Sequence, residues 1–156
     1  MRILVLSDCH GDVFSAMDAI DAQPSAKVIL FLGDGLGDMD EIMPHYPHKT
    51  FYTVRGNCDF GRTEPATRLI EVDGVRIMMT HGHEYRVKAG PYEAVETARR
   101  NQCPVLVFGH THRPVVNYED GVHYLNPGSV SRRGGGTYGY IDITPGGVFC
   151  STITLT

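Results

Sequence analysis

The chain alternates short apolar runs with polar, glycine-containing breaks. Arg2 to Ser7 (RILVLS) is an apolar, β-rich run, and Asp12 to Ala22 follows with Val13, Phe14, Met17 and Ile20 at helical spacing. That pairing predicts a strand and then an amphipathic helix. Further β-like runs cover Lys27 to Leu32, Thr50 to Val54, Thr67 to Val72, Val75 to Thr80, Pro104 to Phe108, Val115 to Tyr118, Val122 to Leu125, Tyr138 to Ile143 and Val148 to Leu155. Asp73-Gly74 and Asp120-Gly121 carry the turn chemistry that joins neighbouring strands into hairpins. Pro91 to Asn101 predicts a helix with proline in its first turn and Ala94, Val95 and Ala98 on one face. Asp38, Asp40 and Glu41 begin a short helix, as charges that favour its N-terminus. Strand and helix alternate early and hairpins dominate late. The expected class is α/β, with two mixed sheets packed as a sandwich and helices outside.

The length of 156 residues, 42% of them hydrophobic, suffices for a buried core and predicts one domain over residues 1–156. Gly134-Gly135-Gly136 lies between strand-like segments and reads as a loop. The formal net charge of −4 argues against a generic basic surface for nucleic acid and against a polybasic membrane anchor. The first apolar run spans only Ile3 to Leu6, too short for a signal-peptide core or a membrane span, so a cytoplasmic protein is expected. Cys9, Cys58, Cys103 and Cys150 form no C-x-x-C pair, and reduced thiols are the default.

Eight histidines in so short a chain call for a chemical explanation. Five apolar runs end in polar clusters: Asp8-Cys9-His10, Gly33-Asp34, Gly56-Asn57-Cys58-Asp59, His81-Gly82-His83 and Gly109-His110-Thr111-His112. Ligands of open α/β sheets bind at the carboxyl ends of strands, so these tips can meet in one crevice. Gly33, Gly56, Gly82 and Gly109 let the backbone turn sharply and approach closely. Asp, Asn and His are oxygen and nitrogen donors suited to Mn, Fe, Zn, Co or Ni, and the alternating pairs Asp8/His10 and His110/His112 would point to one side of an extended segment. Asp8, His10, Asp34, Asn57, His81, His110 and His112 exceed what one four-coordinate ion uses, whereas two ions sharing a carboxylate would use them all. Two divalent ions against the carboxylates of Asp8 and Asp34 leave a site charge of about +2, suited to phosphate chemistry.

In this order, D-x-H, G-D, G-N-C-D, H-G-H and G-H-T-H resemble the calcineurin-like metallophosphoesterases. The short length, Cys58 and Asn126-Pro127-Gly128-Ser129 look most like the small prokaryotic phosphodiesterase branch. The resemblance spans Asp8 to Ser129 and implies a four-layer αββα fold. It puts Asp8, His10, Asp34 and His112 on a first metal and Asp34, Asn57, His81 and His110 on a second, with Asp34 bridging. Manganese is common in the family, with nickel, cobalt, iron or zinc also found. The implied activity is a phosphodiesterase in which hydroxide bridging two metals attacks phosphorus in line, with Asp34, Asn57, His81 and His110 as its catalytic residues. The implied partner is a small phosphorylated substrate, with no membrane and no sequence-specific nucleic acid, and relatives often form homo-oligomers. Many relatives carry His where this chain has Cys58, and a thiol with a pKa near ~8.5 is a poorer general acid.

Alternatives accompany this reading. Asp8 could serve only to cap the following helix. His83 and Asp59 could orient ligands or merely stabilise their loops. Arg55, Arg86, Arg132 and Arg133 are candidates for gripping a phosphate, and His45, His48 and His123 are read as structural. The same metals serve phosphomonoesterases and nucleotide pyrophosphatases. The rival from another class is a non-catalytic interaction module on this fold, like the retromer subunit whose site is damaged; here no donor is missing.

Overall fold

The computed structural model describes residues 1–156. In chain order the elements are β1 (Arg2–Leu6), α1 (Val13–Asp21), β2 (Val28–Phe31), α2 (Leu36–Ile42), β3 (Thr50–Thr53), β4 (Thr67–Val72), β5 (Val75–Thr80), α3 (Tyr92–Arg100), β6 (Val105–Phe108), β7 (Val115–Glu119), β8 (Val122–Asn126), β9 (Thr137–Thr144) and β10 (Gly147–Thr154). All ten expected strands form, with ends within a residue or two of their apolar runs. One sheet has the order β10-β9-β1-β2-β3 and the other β4-β5-β6-β8-β7. Strands β1, β2 and β3 are parallel in sequence across their sheet, as are β5, β6 and β8, and antiparallel hairpins supply every edge but that of β3. Asp73-Gly74 and Asp120-Gly121 turn two of those hairpins with positive φ at both residues, which is the geometry their sequence demands.

The period-2 alternation of each strand assigns its side chains to two layers at once. Ile3, Val5, Leu30 and Leu32 point inward and meet Ile77, Met79, Val105, Val107 and Leu125 of the opposite sheet. Leu4, Leu6, Ile29 and Phe31 point outward against Ala16, Ala19 and Ile20 of α1 and Leu36, Met39 and Ile42 of α2. On the far side, Met78, Leu106 and Phe108 pack on Ala94, Val95 and Ala98 of α3. Three apolar interfaces therefore separate four layers. Central strands buried on both faces must be apolar throughout, which is why β1, β2 and β6 read as unbroken hydrophobic runs.

Helix α1 begins at Asp12, whose carboxylate accepts from the Ser15 backbone N–H at 3.2 Å. Capping thus falls to Asp12, and Asp8 is free for another task. Short 3-10 turns at 43–45, 83–85, 87–89 and 132–134 carry no periodicity that a sequence reading could detect. The last of these lies in the glycine-rich loop, which is further tied by a bridge between Ser129 and Gly135.

Leu30 is fully buried between the sheets. Leu30→Ala is expected to lower unfolding stability by about 2–5 kcal/mol in urea titrations. Phe149→Ala, on a side chain whose residue is 57% exposed, should change it by no more than about 0.5 kcal/mol.

Candidate metal centre

The carboxyl ends of β1, β2, β3, β5 and β6 deliver Asp8, Asp34, Asn57, His81 and His110, and the turns after β1 and β6 add His10 and His112. The structure brings all seven together. Asp8 Oδ1 lies 3.1 Å from His112 Nε2 and 3.4 Å from His10 Nε2, and those two imidazole nitrogens are 3.3 Å apart. Asp34 Oδ2 lies 3.6 Å from His10 Nε2 and 3.4 Å from His81 Nε2. His81 Nε2 is in turn 3.0 Å from Asn57 Oδ1 and 3.2 Å from His110 Nδ1. Two groups result, one around His10 and His112 and one around His81, with Asp8 and Asp34 each reaching both.

Proton logic shows what such a cluster requires. His81 Nδ1 stands 2.7 Å from the Leu32 carbonyl, which can only accept, so Nδ1 carries the hydrogen. The neutral ring then aims the Nε2 lone pair at Asp34 Oδ2 and Asn57 Oδ1, both of which present electron pairs of their own. A cation, or a proton standing in for one, relieves that repulsion. Donor atoms about 3.0–3.6 Å apart are also what a shell of ligands at about 2.0–2.2 Å from one ion produces. The residues present therefore fit divalent metal.

Electrostatics agree with the geometry. Burial alone would raise Asp34, yet the hydrogen bond and charge of His81, the Cys58 N–H and the charge of His10 hold it well below the usual carboxylate range. Burial pushes His81 down, but the hydrogen bond to Asp34 and the charges of Asp8 and Asp34 outweigh it and raise the imidazole. His110 and His83 both titrate low, because burial and then the charge of His81 disfavour further protons.

One expectation about local geometry is corrected. Asp8/His10 and His110/His112 converge without lying on extended segments: Asp8, His10, Asp34, His110 and His112 have φ of 56°, 47°, 61°, 70° and 60°. Left-handed backbone at a non-glycine residue is unfavourable by about 1–3 kcal/mol and persists where surrounding contacts over-determine it. Those contacts are visible. Asp59 accepts four backbone N–H bonds, from Asp34, Gly35, Leu36 and Gly56, at 2.7–3.0 Å. It thereby caps α2 from another loop and pins Asp34, so of the roles open to it the loop-stabilising one is realised. Ser7 Oγ donates to Asp8 Oδ2 at 2.6 Å, the His110 N–H donates to the same oxygen at 3.0 Å, and Ser129 Oγ donates to the Asp8 carbonyl at 2.8 Å. Asn126 Nδ2 holds Gly109 O and Thr111 Oγ1 at 3.0 and 2.9 Å. A Cβ on Gly56 would collide with the Asp34 carboxylate, and one on Gly109 with the Ser7 hydroxyl, so close approach is what these glycines permit.

Ser7 was missed by sequence reasoning, and Asn126 and Ser129 read there first as a turn; polar residues beside the motifs were the only signal. The His83 ring lies against those of His81 and His110, with centroids 5.4 and 6.2 Å away, and its Nδ1 is buried without a partner. Cys58 is exposed; its backbone N–H donates to Asp34 Oδ1 at 2.8 Å, and burial together with the Asp34 charge raises its thiol. Of the candidate arginines, Arg133 reaches the His10 carbonyl at 3.2 Å, Arg132 is committed to Asp18 and Ser15, and Arg86 lies 3.7 Å from Glu93. The His123 ring packs on Tyr118 with centroids 4.6 Å apart. No helix of the structure is long and apolar enough to cross a membrane.

A sequence profile described as the calcineurin-like phosphoesterase superfamily domain matches residues 1–145. Phosphodiesterase YfcE of Escherichia coli (strain K12) is 31% identical over 170 residues, covering 91% of this chain and 88% of that protein. A solved archaeal phosphodiesterase superposes with a TM-score of 0.78 at 21% identity, covering 98% of this chain and 100% of that one. Wild-type Vps29 of Entamoeba histolytica, solved in complex with Zn2+, superposes with a TM-score of 0.72 at 20% identity, covering 98% of each chain.

Asp59→Ala leaves four backbone donors without their acceptor and should cost at least about 2 kcal/mol in denaturant titrations. Asp40→Ala, which removes an exposed ion pair with Arg62, should cost less than about 1 kcal/mol. In metal-free protein the lowered Asp34 adds stability above the carboxylate range that is lost on acidification. The raised His81 adds stability below the ordinary imidazole value that is lost as pH rises through its folded pKa. A divalent cation must displace the His81 proton, so the rise in melting temperature on adding manganese should be larger at about pH 8 than at about pH 6. An equal rise at both would contradict this assignment.

Proposed function

The chain belongs to the calcineurin-like phosphoesterase superfamily, and on that premise we propose that it is a metal-dependent phosphodiesterase, using Asp8, His10, Asp34 and His112 toward one divalent ion and Asp34, Asn57, His81 and His110 toward a second. The observation that carries this reading is the complete donor set, in two groups joined through Asp8 and Asp34, with His81 Nε2 aimed at the oxygens of Asp34 and Asn57. Manganese is the proposed metal. When bound, such a pair supplies Lewis-acid charge that activates water and draws in phosphoryl oxygens for in-line displacement.

The residues of this chain supply the order that the chemistry needs. Ser7 and the His110 N–H orient the Asp8 carboxylate, and Leu32 fixes the His81 tautomer, so donors are aligned before substrate arrives. Asn57 adds an oxygen without adding charge, which keeps the centre attractive to an anion. Arg133, beside His10 and His112 in a cleft lined by no hydrophobic residue, would contact a non-bridging phosphate oxygen. A non-catalytic module on this fold would be under no pressure to keep all seven donors, and their completeness supports the enzyme.

Protein purified without chelator should contain about two metal ions per chain by mass spectrometry and, with manganese, should hydrolyse bis-(p-nitrophenyl) phosphate in preference to p-nitrophenyl phosphate. Asp8→Asn and His112→Ala should each lose metal and lower diester turnover by about a hundredfold or more. A variant that keeps full activity refutes the ligand assignment, and metal-loaded protein inert toward both esters refutes the enzyme.

A further inference from the structure

The loop after β6 separates two clefts. His112 lines the polar one, together with His10, Ser129 and Arg133, while its neighbours Thr111 and Arg113 line a larger one on the α3 side. The larger cleft has a volume of about 610 Å³ and is walled by Val87, Lys88, Phe108 and Tyr124. That size suits a small-molecule ligand. Phe108 and Tyr124 are almost fully buried, with rings 6.2 Å apart, and show the cleft little surface, so its more exposed apolar residues are Pro91 and Val115.

The cleft carries positive charge in an acidic protein. The chain carries a net charge of −4, and Arg2, Arg62, Arg99 and Arg132 all lie within 4 Å of carboxylates. Lys88 and Arg113 have no such partner, and no acidic residue lines the cleft with them. Two unneutralised cations beside this apolar surface, joined to the donor cluster through Thr111, match a ligand with an apolar part and an anionic part.

We propose that this cleft seats one ester group of the substrate, a group with an apolar part that also carries an anion of its own in addition to the scissile phosphate, as a phosphorylated nucleoside does. The proposal rests on the phosphoesterase reading. On that reading the scissile phosphate sits at the donor cluster, the apolar part of one arm lies against Pro91 and Val115, its second anion meets Lys88 and Arg113, and the other arm faces the cleft of His10 and Arg133.

The test is calorimetric titration of metal-loaded, full-length protein with adenosine 3′,5′-bisphosphate, adenosine 5′-monophosphate and inorganic phosphate. The bisphosphate is expected to bind about tenfold tighter than the monophosphate, since a hydrogen bond to a charged group contributes about that much. The monophosphate should in turn bind more tightly than inorganic phosphate. Lys88→Glu and Arg113→Glu lie on exposed side chains, and each should erase the gap between bisphosphate and monophosphate with the melting temperature unchanged. Bisphosphate and monophosphate of equal affinity in the unsubstituted protein overturn the proposal, as does a gap that survives both variants. Turnover of bis-(p-nitrophenyl) phosphate without any such gap would sink this cleft and spare the phosphodiesterase. The gap without turnover of any ester would sink the phosphodiesterase and leave the cleft as a nucleotide site.

Discussion

Burying the carboxylates of Asp8 and Asp34 within 4.8 Å of each other and of the His81 ring costs solvation free energy that apolar packing cannot return. The surrounding loops are arranged to offset it. Ser7, the backbone N–H of His110 and the backbone N–H of Cys58 each give a hydrogen bond to one of the two carboxylates. What they leave over is the pair of oxygens facing His10, His81 and His112, where positive charge is required. In metal-free protein a proton on His81 can meet that need, and a divalent cation would take its place.

Holding that arrangement demands backbone that a free chain would avoid. Five of the donors sit in left-handed conformation, and neighbouring strand ends hold them: the Asp8 and His10 N–H groups donate to the Gly33 and Asp34 carbonyls, and the His110 N–H donates to Asp8 Oδ2. Asp34 depends on Asp59, Asp8 depends on Ser129, and the loop of His110 and His112 depends on Asn126. Strain at the donors is therefore opposed by polar contacts one residue layer away, and the apolar sandwich beneath supplies the rigidity that keeps the layers in register. The four-layer fold matters to function because the parallel strands at the centre of both sheets open at one edge, which lets five chain segments meet.

The same edge explains why an acidic protein can hold an anionic substrate. The charge that counts is local. Arg133 on one side of the His112 loop and Lys88 with Arg113 on the other border the donor cluster, while most remaining arginines are consumed in ion pairs along the surface.

Much of this was legible in the sequence, because strands buried on both faces must be apolar from end to end and their polar termini then stand out. The ten strands, the two Asp-Gly hairpins, helices α1 and α3 and all seven donors follow from that contrast and from the spacing of the motifs. The sequence could not show how Asp8, His10, Asp34, His110 and His112 converge. Alternation along an extended segment would have sufficed for each pair alone, and only contacts from distant loops make left-handed backbone the lower state. The same holds for Asp59, Ser129 and Asn126, whose partners are backbone groups brought near by folding and carry no residue signature. It holds too for the cleft of Lys88 and Arg113, since a cation is unpaired or paired only in three dimensions. Local pattern determined which residues are apolar, which turn and which can bind metal; tertiary packing decided their angles, their partners and the spaces between them.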